Sequence, residues 1–453
     1  MNSKKSVIFL FFLFTAVAQQ GCKKYLAAKP DKALAVPQTL QDLQALLDNF
    51  STVNSEDATA AVQSVDDFYL TDADYNSISN SATRKLYTWS TGVLFDAFPN
   101  DWSHEYDVVN IANTVLDNID KVARTASNAN EWDNVKGQAL LLRARSFQII
   151  AWIWANIYDK TKAATDLGIP LRLHSDFNIP SVRSTLQETY DRINMDYKES
   201  IILLPAKPLH VLRASKAAGY GLLARTYLSM RDYDNCLLYS DSCLGVFSAL
   251  LDYNLLNASA SFPLPKFNDE VIMDNRIPVP SMFTGTKGKI DSLLYQSYSD
   301  SDLRKTIFFK KNTGFYTFKG SYEGSNTMFS GLATDEVMLM RAECLARSGN
   351  AGAAIDVLNS LLITRWKSNY FVPLTAIDAK DALAKILLER RKELLRRGFR
   401  WMDIKRLNKE GENIVMSRVV AGQTYTITAN SLRYTFPIPD DIILLTGMQQ
   451  NPE

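Results

Sequence analysis

The residues able to do chemistry fall into two groups: titratable side chains scattered along the chain, and aromatic rings concentrated in two stretches. There are three histidines, His104, His174 and His210, far apart, and four cysteines without a C-x-x-C pair. A zinc centre or a histidine-based triad lacks its usual ingredients. The GTKGK segment at 285–289 has neither the spacing nor the terminal Ser or Thr of a phosphate-binding loop, and no G-x-S-x-G or H-E-x-x-H pattern occurs. Asp72, Asp74 and Asn76 are spaced like the opening of a calcium loop, but Ser77 stands where glycine is required and Thr83 where a bidentate Glu belongs. The expectation there is a polar turn, without calcium or any other cofactor. Acidic neighbours such as Asp66-Asp67 and Asp440-Asp441 read as solvated loop charge.

The rings are more informative. Residues 68–106 hold Phe68, Tyr69, Tyr75, Tyr87, Trp89, Phe95, Phe98, Trp102 and Tyr106, and residues 283–329 hold ten Phe or Tyr. A sugar has apolar C–H faces ringed by hydroxyls, so a protein binds it with a flat ring under that face and amides or carboxylates at the edge. Trp102 beside Asn100 and Asp101 has this character, and so do Tyr75, Trp89, Tyr295, Tyr298 and Tyr322, whose rings are amphipathic or lie among polar neighbours. These eight residues are the expected ligand contacts. The competing reading makes each ring part of a satellite core.

Helices must position these loops. Leu43, Leu46 and Leu47 share one face of a helical pattern over 40–50, and helices are expected over 105–121 and 133–158, the second apolar almost all round. Sliding residues 215–246 by 118 positions onto 333–364 aligns Ala224, Tyr227, Cys236, Ser240 and Cys243 with Ala342, Leu345, Ala354, Leu358 and Leu361. The small residues fall where two helices approach closely, as in a tetratricopeptide helix-turn-helix. Gly349 marks the turn in the later copy, and Arg231 replaces it in the earlier one. Helical hairpins are expected near 105–158, 186–244, 334–364 and 379–409, with loop-rich insertions near 51–103 and 250–333. Within the second insertion, Arg304–Lys310 and Gly314–Lys319 read as short β runs. Cys236, Cys243 and Cys344 read as core thiols. Near the C-terminus, Glu393 and Arg397 are spaced to pair on a helix that Gly398 ends.

Composition sets the class. Hydrophobic residues at 46% and charged residues at 22% call for a packed core. Lys plus Arg number 50 against 49 Asp plus Glu, which gives no field to attract a phosphate backbone, so no nucleic-acid partner is expected. Lys4 and Lys5 precede an apolar run from Val7 to Ala18, too short to span a bilayer, which ends at Gly21-Cys22. Residues 1–21 therefore read as a lipoprotein signal peptide and Cys22 as the lipid attachment site. Each buried CH₂ contributes ~0.8 kcal/mol, so a multiply acylated cysteine holds a protein at a membrane almost irreversibly.

Several of these features together resemble the SusD/RagB family of outer-membrane nutrient-binding lipoproteins. They are Tyr25-Leu26 and Lys29-Pro30-Asp31 after the cysteine, Arg143-Ala144, Gly168-Ile169-Pro170-Leu171-Arg172, the 389–406 corner ERRKEL…RGFRWMDIKR, and Pro437-Ile438-Pro439 with Gln450-Asn451-Pro452. Ala27, Arg397 and Lys23-Lys24 depart from the family pattern. The resemblance implies a mostly all-α fold, a superhelix of four tetratricopeptide-like pairs with long irregular loops and short β-hairpins, as a single domain over 22–453. It also implies a lipid-anchored protein on the outer membrane of a Gram-negative cell, facing outside. Such a protein captures an oligosaccharide or peptide for a SusC-like TonB-dependent barrel and cleaves nothing. Two other readings stay open: an all-helical surface enzyme that degrades glycans, and a tetratricopeptide-like scaffold that binds only proteins.

Overall fold

Side-chain caps fix where the helices begin. The computed structural model describes residues 37–452, and one unit runs from Leu40 onward. The signal run and Cys22 lie outside the described residues. The main helices are α1 Leu40–Leu47, α2 Asp101–Ile119, α3 Ala129–Trp154, α4 Leu186–Leu203, α5 Lys216–Met230, α6 Tyr233–Val246, α7 Thr334–Arg347, α8 Ala351–Leu362, α9 Ala379–Glu393 and α10 Arg400–Lys409. Asn100 with Ser103 and Thr185 with Glu188 form reciprocal capping boxes on α2 and α4. Ser215, Asp232, Asn350 and Asp378 cap α5, α6, α8 and α9.

The helices stack as the pairs α2/α3, α5/α6 and α7/α8, with α4 inserted between the first two pairs; α9 packs on α7 and α8 rather than pairing with α10, which packs on α5. The 186–244 block thus holds three helices. Ala224, Ala342, Cys236 and Ala354 are fully buried, as close helix approach in the two repeat copies requires. Gly349 takes the left-handed turn at φ +87°, and Arg231 adopts the same region at φ +61° in the earlier copy. All three described cysteines are free and buried.

Helix α3 is buried around most of its circumference, and its two central charges are matched. Arg143 binds Asp196 bidentately at 2.8 and 2.9 Å, and Arg145 pairs with Asp57. It ends at Trp154, before the expected Tyr158, where Lys405 of α10 donates to the carbonyls of Trp152 (2.8 Å) and Ala155 (2.9 Å). An ammonium there serves carbonyls that a helix end leaves without partners and meets the negative end of the helix dipole. Burial pushes that amine down to about 7.

Strands are short and paired two by two. Phe309–Asn312 with Phe315–Phe318, and Met416–Val420 with Gln423–Ile427, are hairpins. Phe68–Tyr69 pairs antiparallel with Lys289–Ile290 and so links the two insertions. The expected β run at 304–310 splits: Arg304–Ile307 is a helical turn, because the Asp302 carboxylate accepts the Arg304 N–H at 3.0 Å, and the strand begins at Phe309. No helix among the described residues is long and apolar enough to cross a membrane.

Candidate functional site

The 250–333 insertion is tied to the C-terminal corner by a buried ionic network. Arg304, fully buried, donates to Asp302 (2.9 and 2.7 Å), Glu393 (2.8 Å) and Glu389 (2.5 Å). Arg365, also fully buried, donates to Glu393 (2.7 Å) and Glu270 (2.7 Å). Arg397 grips Asp335 at 3.0 and 2.7 Å. Burial alone would favour the neutral form of Arg304, but the surrounding carboxylates outweigh it and hold the guanidinium charged. The expected Glu393–Arg397 pair does not form. Helix α9 ends at Glu393, and positive φ at Arg396 and Gly398 turns the chain, so each residue finds a distant partner.

On this clamp the insertions present a cluster of half-buried rings. Thr71 caps the short helix Asp72–Asn76, and its partner in the capping box, Asp74, also accepts from Lys289. Burial works against charge on Asp74, but the hydrogen bonds from Lys289 and Thr71 hold its carboxyl below the ordinary range. The Lys289 ammonium lies 4.5 Å from the Phe315 ring centre, a cation–π contact that, with the Lys289–Asp74 pair, ties one face of the 309–318 hairpin to the Asp72–Asn76 helix. On the other face of that hairpin, Tyr316 stacks on Tyr295 with centroids 3.7 Å apart and planes 16° apart, and Lys305 stands over Tyr295 at 5.2 Å. Burial and the Tyr316 hydroxyl push the Tyr295 phenol up, so it stays neutral. Flat, neutral rings among an ammonium, a carboxylate and hydroxyls can stack on a polyhydroxylated ring and hydrogen-bond its rim.

Of the eight residues expected from the sequence, Tyr295 is half of this stacked pair, and Tyr75 is half-buried in the Asp72–Asn76 helix with its ring 5.9 Å from that of Tyr87. Tyr298 is buried with its hydroxyl on the Lys392 carbonyl (2.8 Å). Tyr322 is buried against Glu270 (2.6 Å) and Asp335 (3.1 Å), inside the ionic network. Trp89 is buried at a left-handed position, its indole N–H on the Ser64 carbonyl (2.8 Å). These three rings are packing elements. Asn100 caps α2, and Asp101 accepts from the backbone N–H groups of Thr59 and Ala60, both at 2.8 Å. Trp102 is 4% exposed and offers only an edge, to a separate cleft. The polar turn at 72–76 is a capped helix, and its Asp72 accepts from the Ala421 N–H. The sequence reading missed Lys289, Phe315 and Tyr316; the alternating FYTF run at 315–318 was the available signal.

Acidic pairs are used structurally. Asp66 binds Arg400 bidentately at 2.8 and 2.9 Å, and Asp67 accepts from Arg391 at 3.3 Å, so this pair is clamped rather than solvated. Asp441 accepts from the Phe98 N–H. Among the described residues, no group of three or more His, Cys, Asp or Glu is placed to hold a metal ion.

Two family models match the sequence. One, described as "Starch-binding associating with outer membrane", covers residues 24–228, and the SusD family model covers residues 283–453. Between them they span most of the chain. The chain belongs to the SusD family. Solved SusD structures share its fold: a SusD superfamily protein of Bacteroides thetaiotaomicron has a TM-score of 0.74 at 20% identity, with 92% of this chain and 100% of that chain covered. A SusD superfamily protein of Bacteroides vulgatus also gives 0.74 at 20% identity, with 92% and 99% covered. A SusD-like carbohydrate binding protein of the same species gives 0.66 at 21% identity, with 91% and 97% covered. No curated protein matches the chain.

Proposed function

We propose that this SusD-family chain is the capture subunit of a nutrient importer. It binds a glycan on a ring face built from the stacked pair Tyr295 and Tyr316 and passes it intact to a SusC-like TonB-dependent barrel. The observation that carries this reading is the stacked, half-buried pair Tyr295 and Tyr316, with planes 16° apart beside the Lys305 ammonium. A glycan as ligand is supported by the stacking geometry, and by family relatives of which one is described as carbohydrate binding. Binding without cleavage is supported by the state of the acids: Asp74 is tied to Lys289, while Asp66 and Asp67 are held by arginines. Acylation at Cys22 would tether the molecule to the outer membrane, facing outward, where a hinge motion on the barrel delivers the ligand.

The test is affinity capture of the native membrane complex, followed by screening of the purified chain against neutral oligosaccharides and peptides. Co-purification of a TonB-dependent barrel and oligosaccharide binding without product formation are expected. Peptide binding alone would change the ligand class. Turnover would replace the reading with the enzyme, and barrel capture with no ligand would favour the scaffold.

A further inference from the structure

A cleft of about 290 Å³ lies between the start of α2, the segment after the strand Leu167–Pro170, and the C-terminal helix Asp440–Thr446. Two phenylalanines stand at its rim with most of their surface in solvent, Phe98 at 68% and Phe177 at 87% exposure. Burying such a ring gives about 1.5–3 kcal/mol, and here two of them line the same cleft. The floor is rigid: Trp102 packs on Tyr106 with centroids 4.9 Å apart and edge-on against Trp154 at 5.1 Å.

Most polar groups lining the cleft are already committed. The Tyr106 hydroxyl donates to the Pro170 carbonyl (2.7 Å), and Arg172 donates to the Asp176 carbonyl (2.6 Å) and to that of Ile179. The Asn113 amide serves the Arg172 carbonyl (2.8 Å), and Ser175 donates to Asp117 (2.7 Å). Asp107 and Asn110 are different. They lie three apart on one face of α2, both are exposed to the cleft, and neither side chain has a hydrogen-bond partner.

We infer that this cleft is a second glycan site, taking a neutral pyranoside with its C–H faces against Phe98 and Phe177 and its hydroxyls on Asp107 and Asn110. Sugar hydroxyls donate to a carboxylate and both donate to and accept from a carboxamide, which is the pair left unused. A phosphate or other anion would meet the Asp107 carboxylate, and the guanidinium nearby, Arg172, is taken up by backbone carbonyls. An apolar helix would bury that carboxylate without compensation. The inference rests on the glycan reading above only for the class of ligand; its residues are separate from the ring face.

Saturation-transfer NMR on the full chain tests it, with methyl glucopyranoside, methyl galactopyranoside and methyl mannopyranoside as probes and N-acetyl-arginine amide as a cationic contrast. Three proteins are compared: wild type, the double variant Phe98→Ala/Phe177→Ala, and Tyr316→Ala on the ring face. The rim residues are exposed, so the double variant keeps the wild-type thermal midpoint. At least one pyranoside is expected to receive saturation on its ring C–H protons with millimolar affinity. That affinity should fall about fivefold or more in the rim variant and persist in Tyr316→Ala. Asp107→Asn should weaken it less than loss of the rings. Binding lost in Tyr316→Ala but unchanged in the rim variant would overturn the cleft and leave the capture function standing. No pyranoside signal, or a signal from the arginine amide alone, would overturn the cleft, while the oligosaccharide screen tests the ring face separately.

Discussion

Within the pairs α5/α6 and α7/α8 the small and apolar residues Ala224, Cys236, Ala342, Ala354, Leu358 and Leu361 are buried and uncharged, and a buried ion pair, Arg225–Glu336, joins α5 to α7. The 250–333 insertion meets α9 through Arg304 with Glu389 and Glu393, and through Arg365, which bridges Glu270 to Glu393, all buried and charged. Packing within the pairs is set by shape and tolerates any apolar set of similar volume. The insertion contact is set by charge matching, in which removing one partner leaves a buried ion without compensation. A repeat stack fastened by shape can therefore carry loops whose positions are fixed separately by ions, and those loops present the rings.

Arg304→Met should have the largest effect. It takes one cation from Asp302, Glu389 and Glu393, leaving Lys392 and Arg365 to face three carboxylates, and loss of one partner of a buried pair costs about 3–5 kcal/mol. Urea unfolding should show the loss, and hydrogen exchange should show residues 289–318 losing protection before α5–α8. If exchange rises evenly across the chain, the insertion and the stack are not held independently.

Ala354→Leu tests the other side. Overpacking of this α7/α8 contact costs about 1–3 kcal/mol and should loosen α7 and α8 while sparing the hairpin 309–318.

Glu105 sharpens the comparison inside the stack itself. Burial first, and then the nearby Asp57 charge, raise its carboxyl to about 8. A folded-state value above the unfolded one means that the native protein holds a proton the unfolded chain has lost. The stabilisation from this group is therefore complete below about 4.5 and disappears as pH rises through about 8. Glu105→Gln keeps the acceptor for the Ala58 N–H and removes the titration, so its thermal midpoint relative to wild type should climb by a few degrees between pH 5 and pH 8.5. A constant difference between the two proteins would contradict this.

How much was legible in the sequence follows from the same contrast. Shape-fitted helices repeat their small residues at fixed spacing, so the 118-residue offset exposes both copies, down to Arg231 standing in for a turn glycine. The ionic network has no local period: Arg304 finds Glu393 89 positions away, and Arg365 finds Glu270 95 positions away. Tyr298 and Tyr322 read as exposed because their sequence neighbours are Ser, Asp and Glu, yet their hydroxyls are needed inside that network. Trp89 was misplaced for a related reason, since only the fold reveals that its indole N–H reaches Ser64. Lys289 became meaningful only once its strand paired with Phe68–Tyr69.

The smallest expected effect on stability accompanies the largest expected effect on binding. Tyr295→Ala/Tyr316→Ala removes the stacked pair of half-buried rings, and calorimetric titration with a neutral oligosaccharide recovered in the screen reads the consequence directly. The account predicts that wild type binds and releases the sugar unaltered. It also predicts that the double variant binds at least about tenfold more weakly, a loss of ~1.4 kcal/mol, at a nearly unchanged thermal midpoint. Equal affinity in the two proteins, or a shortened oligosaccharide in the cell, would contradict it.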